Sequence, residues 1–479
     1  MGRLYRARSL VGLLVAGAAV GLVVSQTQGC SSSTPSTTPD ASTDGPTTGA
    51  ITIGMSASLT GSFAEVGNSL ADGTRAAEQL INSVGGVLGR QVKFVIKDDQ
   101  SDKGPILEGV IKDLLGQNVV AIMGPGASSQ CQIAQKLCFG KVPQISAWST
   151  SPALTTLDNG QGPSVGATRW FFRTPPPDDF QARAAYLFAT QGPPRVGGGG
   201  GDAGTDGGRG PSDSPHKCQQ PYVLYGDDVV GNPSATILQA AFKQRDSITA
   251  YARKVPTDEK ATYNEEIADI ASKSPLPDCL IMVAYPEVAA HFLNDLSKAR
   301  ETGAVNLASD FFIVAQDGAY DKSVIQKAII GGNPSNANGM FGTAPDTAPL
   351  RPDYDAFATI YKNFKGDPAA TPPPYAANAF DAAILVSLAL QKAGQAEPAA
   401  VRTALTTLSG DGKIFHVPDI AAALSALKSG VSINYSGASG EVDFDEYGNV
   451  LADYVIWKVE NDGFKTIRRV KSSDLTFKL

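Results

Sequence analysis

From residue 50 onward the chain alternates short runs of β-branched and apolar residues with longer amphipathic segments, and the rhythm starts twice. Strands are expected at 51–55, 91–96, 119–123 and 142–145. Between them lie helices at 106–115 and 128–137, and an earlier one with Leu70, Thr74, Ala77, Ile81 and Val84 on one face, stopped by Gly85 and Gly86. Strand–helix alternation implies a parallel sheet with helices on both faces, because a parallel crossover needs a covering helix. After a loop at 174–179 the pattern resumes with helix 180–189, strand 222–225, helix 235–245, strand 249–255, helix 264–272, strand 280–283, helix 287–300 and strand 311–315. A second sheet is expected to follow the first. Beyond Gly339 the pattern predicts helices at 377–393, 398–408 and 420–427, then a terminal hairpin pairing 441–444 with 454–459. So much chain supports two lobes, each with its own core.

The N-terminus carries Arg3, Arg6 and Arg8 ahead of an apolar run at 10–24, and small or polar residues lead on to Cys30. The run falls short of the roughly 20 residues of a membrane-spanning helix, so 1–29 reads as a secretory leader. Cys30 would be the lipidated first residue of the mature chain, with the Ser-, Thr- and Pro-rich stretch to 49 as a tether. The expected location is the periplasm, with a lipid anchor in the membrane. Four further cysteines, Cys131, Cys138, Cys218 and Cys279, suit disulfides in an oxidising compartment. Within one helix Cys131 and Cys138 stand about 10 Å apart, too far to bridge. Cys218 and Cys279 each open a predicted strand and are the preferred pair; four unpaired thiols are the alternative. Zinc is disfavoured, since no histidine shares the cysteines' short spacings.

Removing the leader arginines takes the formal charge from −7 to about −10, which argues against nucleic acid as a partner. A Gly-rich stretch at about 193–220, with five glycines at 197–201, reads as a surface insertion and lacks the fixed glycine offsets of a phosphate loop. Asp443, Asp445 and Gly448 have the look of a calcium loop, but the twelfth position is Tyr454 where a bidentate glutamate is needed, leaving a polar turn.

In doubly wound sheets ligands bind beyond the carboxyl ends of the strands. There the first lobe offers Ser-Ala-Ser-Leu-Thr-Gly-Ser-Phe after Met55, Gly-Pro-Gly-Ala-Ser-Ser after Met123 and Ser-Ala-Trp-Ser-Thr-Ser-Pro after Ile145. Ser128 stands at a helix start, where free N–H groups favour a carboxylate; alternatively Ser128 and Thr150 only cap helices. In the second lobe, strand 280–283 runs into Tyr285 and strand 311–315 into Gln316-Asp317-Gly318. Asp317 could hold a ligand ammonium, or simply form an Asp-Gly turn. Only His216, His291 and His416 exist, without a nucleophile elbow or metal-binding pair, so the reading is a binding protein without catalysis, cofactor or metal.

These residues come in an order that resembles the type I periplasmic binding proteins of the leucine/isoleucine/valine-binding kind. The pieces are Ile53-Gly54, Leu59-Thr60-Gly61-Ser62-Phe63 and Gly67; Ile81-Asn82 and Gly85-Gly86; Lys97-Asp98-Asp99; 122–129; 145–155; Phe172-Arg173-Thr174; Tyr285-Pro286-Glu287; Gly339-Met340; and Asp445-Glu446-Tyr447-Gly448. The resemblance implies an α/β fold of two Rossmann-like lobes with parallel sheets, joined by three hinge crossings: 50–174 with 345–440, and 175–344 with 441–479. It implies a monomer that captures an amino-acid-like ligand for the permease of an ABC importer, or in a rival reading senses it for a receptor. Transferred by position, Ser128 and Thr150 take the ligand's α-carboxylate with backbone from Ser149. Asp317 takes the ammonium, with Tyr285 beside it. Val66 and Val230 stand where branched-chain binders commonly place aromatics, which points to a larger or non-branched ligand, and Trp148 and Tyr375 are further walls.

Overall fold

The computed structural model describes residues 49–156, 168–193, 216–346, 352–408, 410 and 412–477. Cys30, the leader, the tether and the glycine run 197–201 lie outside them.

The first sheet is laid down as β1 (Ile51–Ala57), α1 (Ala64–Ser83), β2 (Val92–Asp98), α2 (Pro105–Gly116), β3 (Ile122–Met123), α3 (Ser128–Cys138), β4 (Gln144–Ser146), α4 (Ala153–Thr156) and β5 (Phe171–Arg173). Its order is β2-β1-β3-β4-β5 and every pairing is parallel, as the alternation requires. The second is built from α5 (Asp178–Gln191), β6 (Pro221–Gly226), α6 (Gly231–Asp246), β7 (Tyr251–Val255), α7 (Asn264–Ala271), β8 (Cys279–Val283), α8 (Pro286–Glu301), β9 (Phe312–Ala315), α9 (Lys322–Lys327) and β10 (Phe341–Pro345). The chain then returns to the first core with α10 (Pro352–Lys365), α11 (Ala376–Ala393), α12 (Pro398–Leu405), β11 (Lys413–Phe415), α13 (Ile420–Lys428), β12 (Ile433–Gly437) and β13 (Gly440–Glu441). Finally β14 (Tyr454–Glu460) and β15 (Gly463–Val470) extend the second sheet, whose order is β15-β14-β10-β9-β8-β6-β7. The chain therefore passes between the two sheets three times.

The first core forms around α11, which is buried from Ala376 to Leu390. Its Phe380, Ile384 and Leu388 share one apolar cluster with Ile53 and Met55 of β1 and Leu70 and Ile81 of α1. Truncating one of these buried leucines to alanine would cost about 2–5 kcal/mol. Gly73 permits the α1–α11 contact, because a Cβ there would lie 2.2 Å from the Ala376 carbonyl oxygen.

Two expectations about strands and cysteines met different fates. Cys218 and Cys279 are bonded, with Cα atoms 5.6 Å apart, because β6 and β8 are parallel neighbours and Cys279 opens β8 opposite Pro221. Closing a 61-residue separation stabilises the lobe by about 4 kcal/mol on loop-closure entropy. Cys131 and Cys138 stay free and buried, their thiols pushed up to about 11 and about 12 by loss of solvation. The predicted hairpin of 441–444 with 454–459 does not form. Glu441 pairs back onto Ser436, in a turn whose amides at Ala438 and Ser439 are held by the Asp381 carboxylate, and β14 pairs with β10 and β15. The segment between is the expected polar turn, with Asp445 accepting from the Tyr447 and Asn449 amides at 2.8 and 2.9 Å.

Candidate functional site

The carboxyl ends of both sheets face a cleft of about 170 Å³ that is partly open to solvent. From the first lobe its wall includes Phe63 and Val66 at the start of α1, Ser128 at the start of α3, Trp148 and Thr150 after β4, and Tyr375 ahead of α11. From the second come Asp228 and Val230 after β6, Tyr285 after β8, and Gln316 and Asp317 after β9. Of the residues expected in the site, Ser128, Thr150, Tyr285, Asp317, Val66 and Val230 all line this cleft, as do Trp148 and Tyr375. Ser149 does not. It is buried behind the wall, its amide donating to Ser146 Oγ at 3.2 Å and its hydroxyl facing the Cys131 thiol.

Ser128 is the first helical residue of α3 and Ala127 holds the cap position, so the capping alternative fails for this hydroxyl. Instead Ser128 Oγ accepts the Ser151 amide at 3.2 Å, tying the α3 start to the loop after β4. The cap of short α4 comes from Ser151, whose Oγ accepts the Ala153 amide. Thr150 is therefore also free of a capping duty; its carbonyl accepts the Asp178 amide at 2.8 Å and its hydroxyl reaches the Asp178 carboxylate. Hydroxyls and the amino end of α3 thus give this wall a donor-rich, positive character.

The opposite wall is acidic. Asp228 accepts the Val230 and Gly231 amides at 2.9 and 2.8 Å and the Tyr285 hydroxyl at 2.8 Å, so it both shapes the loop after β6 and fixes Tyr285. Burial first, and then the Asp228 charge, hold the Tyr285 hydroxyl well above its ordinary value. Asp317 does form a turn with Gly318, as Asp-Gly pairs do, and Gly318 is required because a Cβ would meet the Ala284 carbonyl oxygen at 2.6 Å. The turn also delivers the Asp317 carboxylate to the cleft, where it accepts the Tyr375 hydroxyl at 2.7 Å from the other lobe. Tyr375 has φ of 63°, a left-handed conformation that costs an aromatic residue about 1–3 kcal/mol and that recurs where function demands it. A second bond across the cleft runs from the Ser151 hydroxyl to the Val229 carbonyl.

Sequence reasoning missed Asp178. It opens α5 where the chain first passes between the sheets, is 1% exposed, and leaves its Oδ2 without a partner. Burial and the charge of nearby Asp317 push its carboxyl well above the usual carboxylate range, against the opposing pull of Thr150 and Arg173. Asp317 is raised as well, mainly by burial, and the Tyr375 and Gln181 hydrogen bonds only partly offset this. Because the charge of Asp317 raises Asp178, the two carboxylates cannot both ionise cheaply. The one available signal in sequence was an acid, Asp178, directly after Pro175-Pro176-Pro177 at a crossing between lobes.

Phe63 packs edge-on to Trp148 at 5.4 Å between centroids, and Trp148 likewise to Tyr375 at 6.3 Å, forming one aromatic wall. His216, His291 and His416 lie outside the lining and pair with Asp310, Glu259 and Asp353. Among the described residues the one cluster of metal-ligating type is Cys218, Asp278 and Cys279, whose sulfurs are committed to the disulfide.

Two sheets, three passes and a cleft at the carboxyl edges agree with a sequence profile described as periplasmic binding protein, which matches residues 50–463. The chain belongs to the periplasmic binding protein family. Its fold is that of the type I, leucine/isoleucine/valine-binding-like kind. The leucine-binding protein LivK of Thermotoga maritima superposes with a TM-score of 0.63 at 19% identity, over 88% of this chain and 99% of its own. LivJ of Streptococcus pneumoniae, solved with isoleucine, gives 0.62 at 19% identity over the same shares. A solute-binding protein of Rhodopseudomonas palustris, solved with p-hydroxybenzoic acid, gives 0.63 at 14% identity over 88% and 97%. By sequence, the chemotactic signal transduction system substrate-binding protein BasB of Halobacterium salinarum is 24% identical over 420 residues, covering 86% of this chain and 87% of that protein. Family and fold are those of binding proteins, and the family is extracytoplasmic. No helix among the described residues is long and apolar enough to cross a membrane.

Proposed function

We propose that this periplasmic binding protein captures an amino-acid-like zwitterion for an ABC importer, as an exported monomer anchored through lipid on Cys30. The observation that carries the reading is the polarity of the cleft: the amino end of α3 with Ser128 and Thr150 on one side and the Asp317 carboxylate on the other, with Asp178 buried outside the lining and reached by the Thr150 hydroxyl. A ligand carboxylate suits the first and an ammonium the second, each through charge-assisted hydrogen bonds. Tyr285 flanks the ammonium, while Val66 and Val230 leave room for the side chain. Ser149 supports the carboxylate site from behind, by holding the loop that presents Thr150.

LivJ carries isoleucine and a Desulfitobacterium hafniense substrate-binding protein carries leucine. The benzoates bound by the R. palustris proteins lack an ammonium, and in this cleft they would meet the acid pair unpaired. The name of BasB favours the second reading, a sensor passing occupancy to a receptor. Both readings need the same ligand site.

The test is a thermal-shift screen of the full chain against amino acids, amides and small carboxylates. Ligand at 100 times its dissociation constant stabilises by about 2.7 kcal/mol. Shifts confined to related amino acids support the reading, and shifts with carboxylates alone contradict it.

A further inference from the structure

The charge of the cleft goes beyond what a simple zwitterion needs. Glu65, Asp228, Asp317 and Asp321 line it, and among the described residues no lysine, arginine or histidine does. Two of these acids are spent within the protein. Asp228 is held by two amides and Tyr285, and Asp321 caps α9 by accepting the Ser323 amide at 2.6 Å. Asp317 has the Tyr375 hydroxyl. Asp178, 1% exposed and outside the lining, feels the Asp317 charge and has an Oδ2 with no partner. Glu65 makes no hydrogen bond or ion pair among the described residues, and it stands in the first turn of α1, two residues from Phe63 of the aromatic wall.

The neighbouring cations do not cancel this. Arg173 is buried, and its guanidinium is committed to Asn449 Oδ1 at 2.8 Å, the Ser151 carbonyl at 2.8 Å and Thr155 Oγ1 at 2.6 Å, although its charge offsets part of that on Asp178. Lys103 lies 5.7 Å from the Phe63 ring and is not part of the lining. Setting Arg173 against Asp178 leaves Asp317 and Glu65 facing the ligand. A zwitterion supplies one ammonium and adds a carboxylate of its own, so the negative charge of Glu65, an exposed residue of the lining, stays unmatched.

Resting on the amino-acid reading, we propose that the ligand is an amino acid with a cationic side chain, an ammonium, guanidinium or quaternary amine, whose second positive charge sits between Glu65 and the faces of Phe63 and Trp148. Aromatic faces attract such cations, and the neutral walls Val66 and Val230 leave the stem of a long side chain in apolar contact.

Calorimetry on the full chain decides this with isosteric pairs, lysine against norleucine and arginine against citrulline, in which only the side-chain charge differs. The proposal expects the charged member of at least one pair to bind 30-fold or more tighter, and Glu65→Gln to cut that ratio at least fivefold. Equal or tighter binding of the neutral members overturns the cationic-ligand inference and leaves the amino-acid reading standing. A charged preference that Glu65→Gln does not change overturns the assignment of Glu65. Binding of 4-hydroxybenzoate with no binding by any of the four amino acids overturns both readings.

Discussion

Two buried aspartates stand at opposite ends of the same problem. Asp381, on α11, is fully buried, yet its carboxylate accepts the Tyr435 hydroxyl, the Ala438 and Ser439 amides and the Ser439 hydroxyl at 2.6–2.9 Å. Asp178, at the passage between lobes, is equally buried but has one oxygen unpartnered and a second carboxylate beside it. Burial raises both, Asp381 to about 6 and Asp178 well above the usual range. The difference lies in what surrounds them. A structural acid collects donors from its own chain, whereas an acid left short of donors in a cleft waits for a ligand to bring one.

This contrast can be broken by substitution. The largest effect should be at Asp317, where Asp317→Ala removes the proposed ammonium partner and is expected to weaken amino-acid binding more than 100-fold by calorimetry while the chain still folds. Next comes Asp381→Ala, which strands the donors of the β12–β13 turn and should lower unfolding free energy by about 3 kcal/mol in a denaturant titration. Asp178→Asn should do the reverse, raising ligand-free stability by about 1 kcal/mol by removing a buried like-charge contact and weakening ligand binding. Equal signs for the two substitutions would erase the distinction drawn here.

The same pair predicts an opposition in pH. Asp178, Asp317 and Asp381 all have folded values above their unfolded ones, so the stability they confer is complete below the ordinary aspartate value near 3.9 and is lost as pH rises through the raised folded values. Melting of the ligand-free chain should therefore shift upward between pH 7.5 and 5.5. Amino-acid affinity should fall as acidification passes the raised values of Asp178 and Asp317, since protonating the pair removes the ammonium's partner. Affinity that holds constant on acidification down to the ordinary aspartate value near 3.9 contradicts the assignment. The smallest expected effect is that of Tyr375→Phe, which deletes one bond across the cleft worth about 1 kcal/mol and should change affinity less than tenfold.

The alternating pattern made both sheets legible, because a strand buried on both faces reads as a continuous apolar run, as in Cys279–Val283. Segments without that signature were lost. β15 carries Lys465, Arg468 and Arg469 because it is a sheet edge, where charges are tolerated and protect against further pairing, so it did not look like a strand. β5 is only three residues long, too short to show periodicity. The hairpin was misplaced because the turn that captures Glu441 depends on Asp381, 60 residues earlier. Within the cleft, positions that follow strands in order could be read directly, which is how Ser128, Thr150, Tyr285 and Asp317 came together. Asp178 and Asp228 could not, since their place depends on how two lobes and two loops meet. Ser149 was displaced from the wall because Ser146 and Arg173 claim its amide and carbonyl.

The most direct test compares each of the twenty amino acids with its deaminated acid by calorimetry on the full chain. The account predicts that the best-bound amino acid outcompetes its deaminated counterpart at least 100-fold, and that Asp317→Ala collapses the ratio toward one. Equal affinity for the two, unchanged by Asp317→Ala, would show that no ammonium is held between the acids of this cleft.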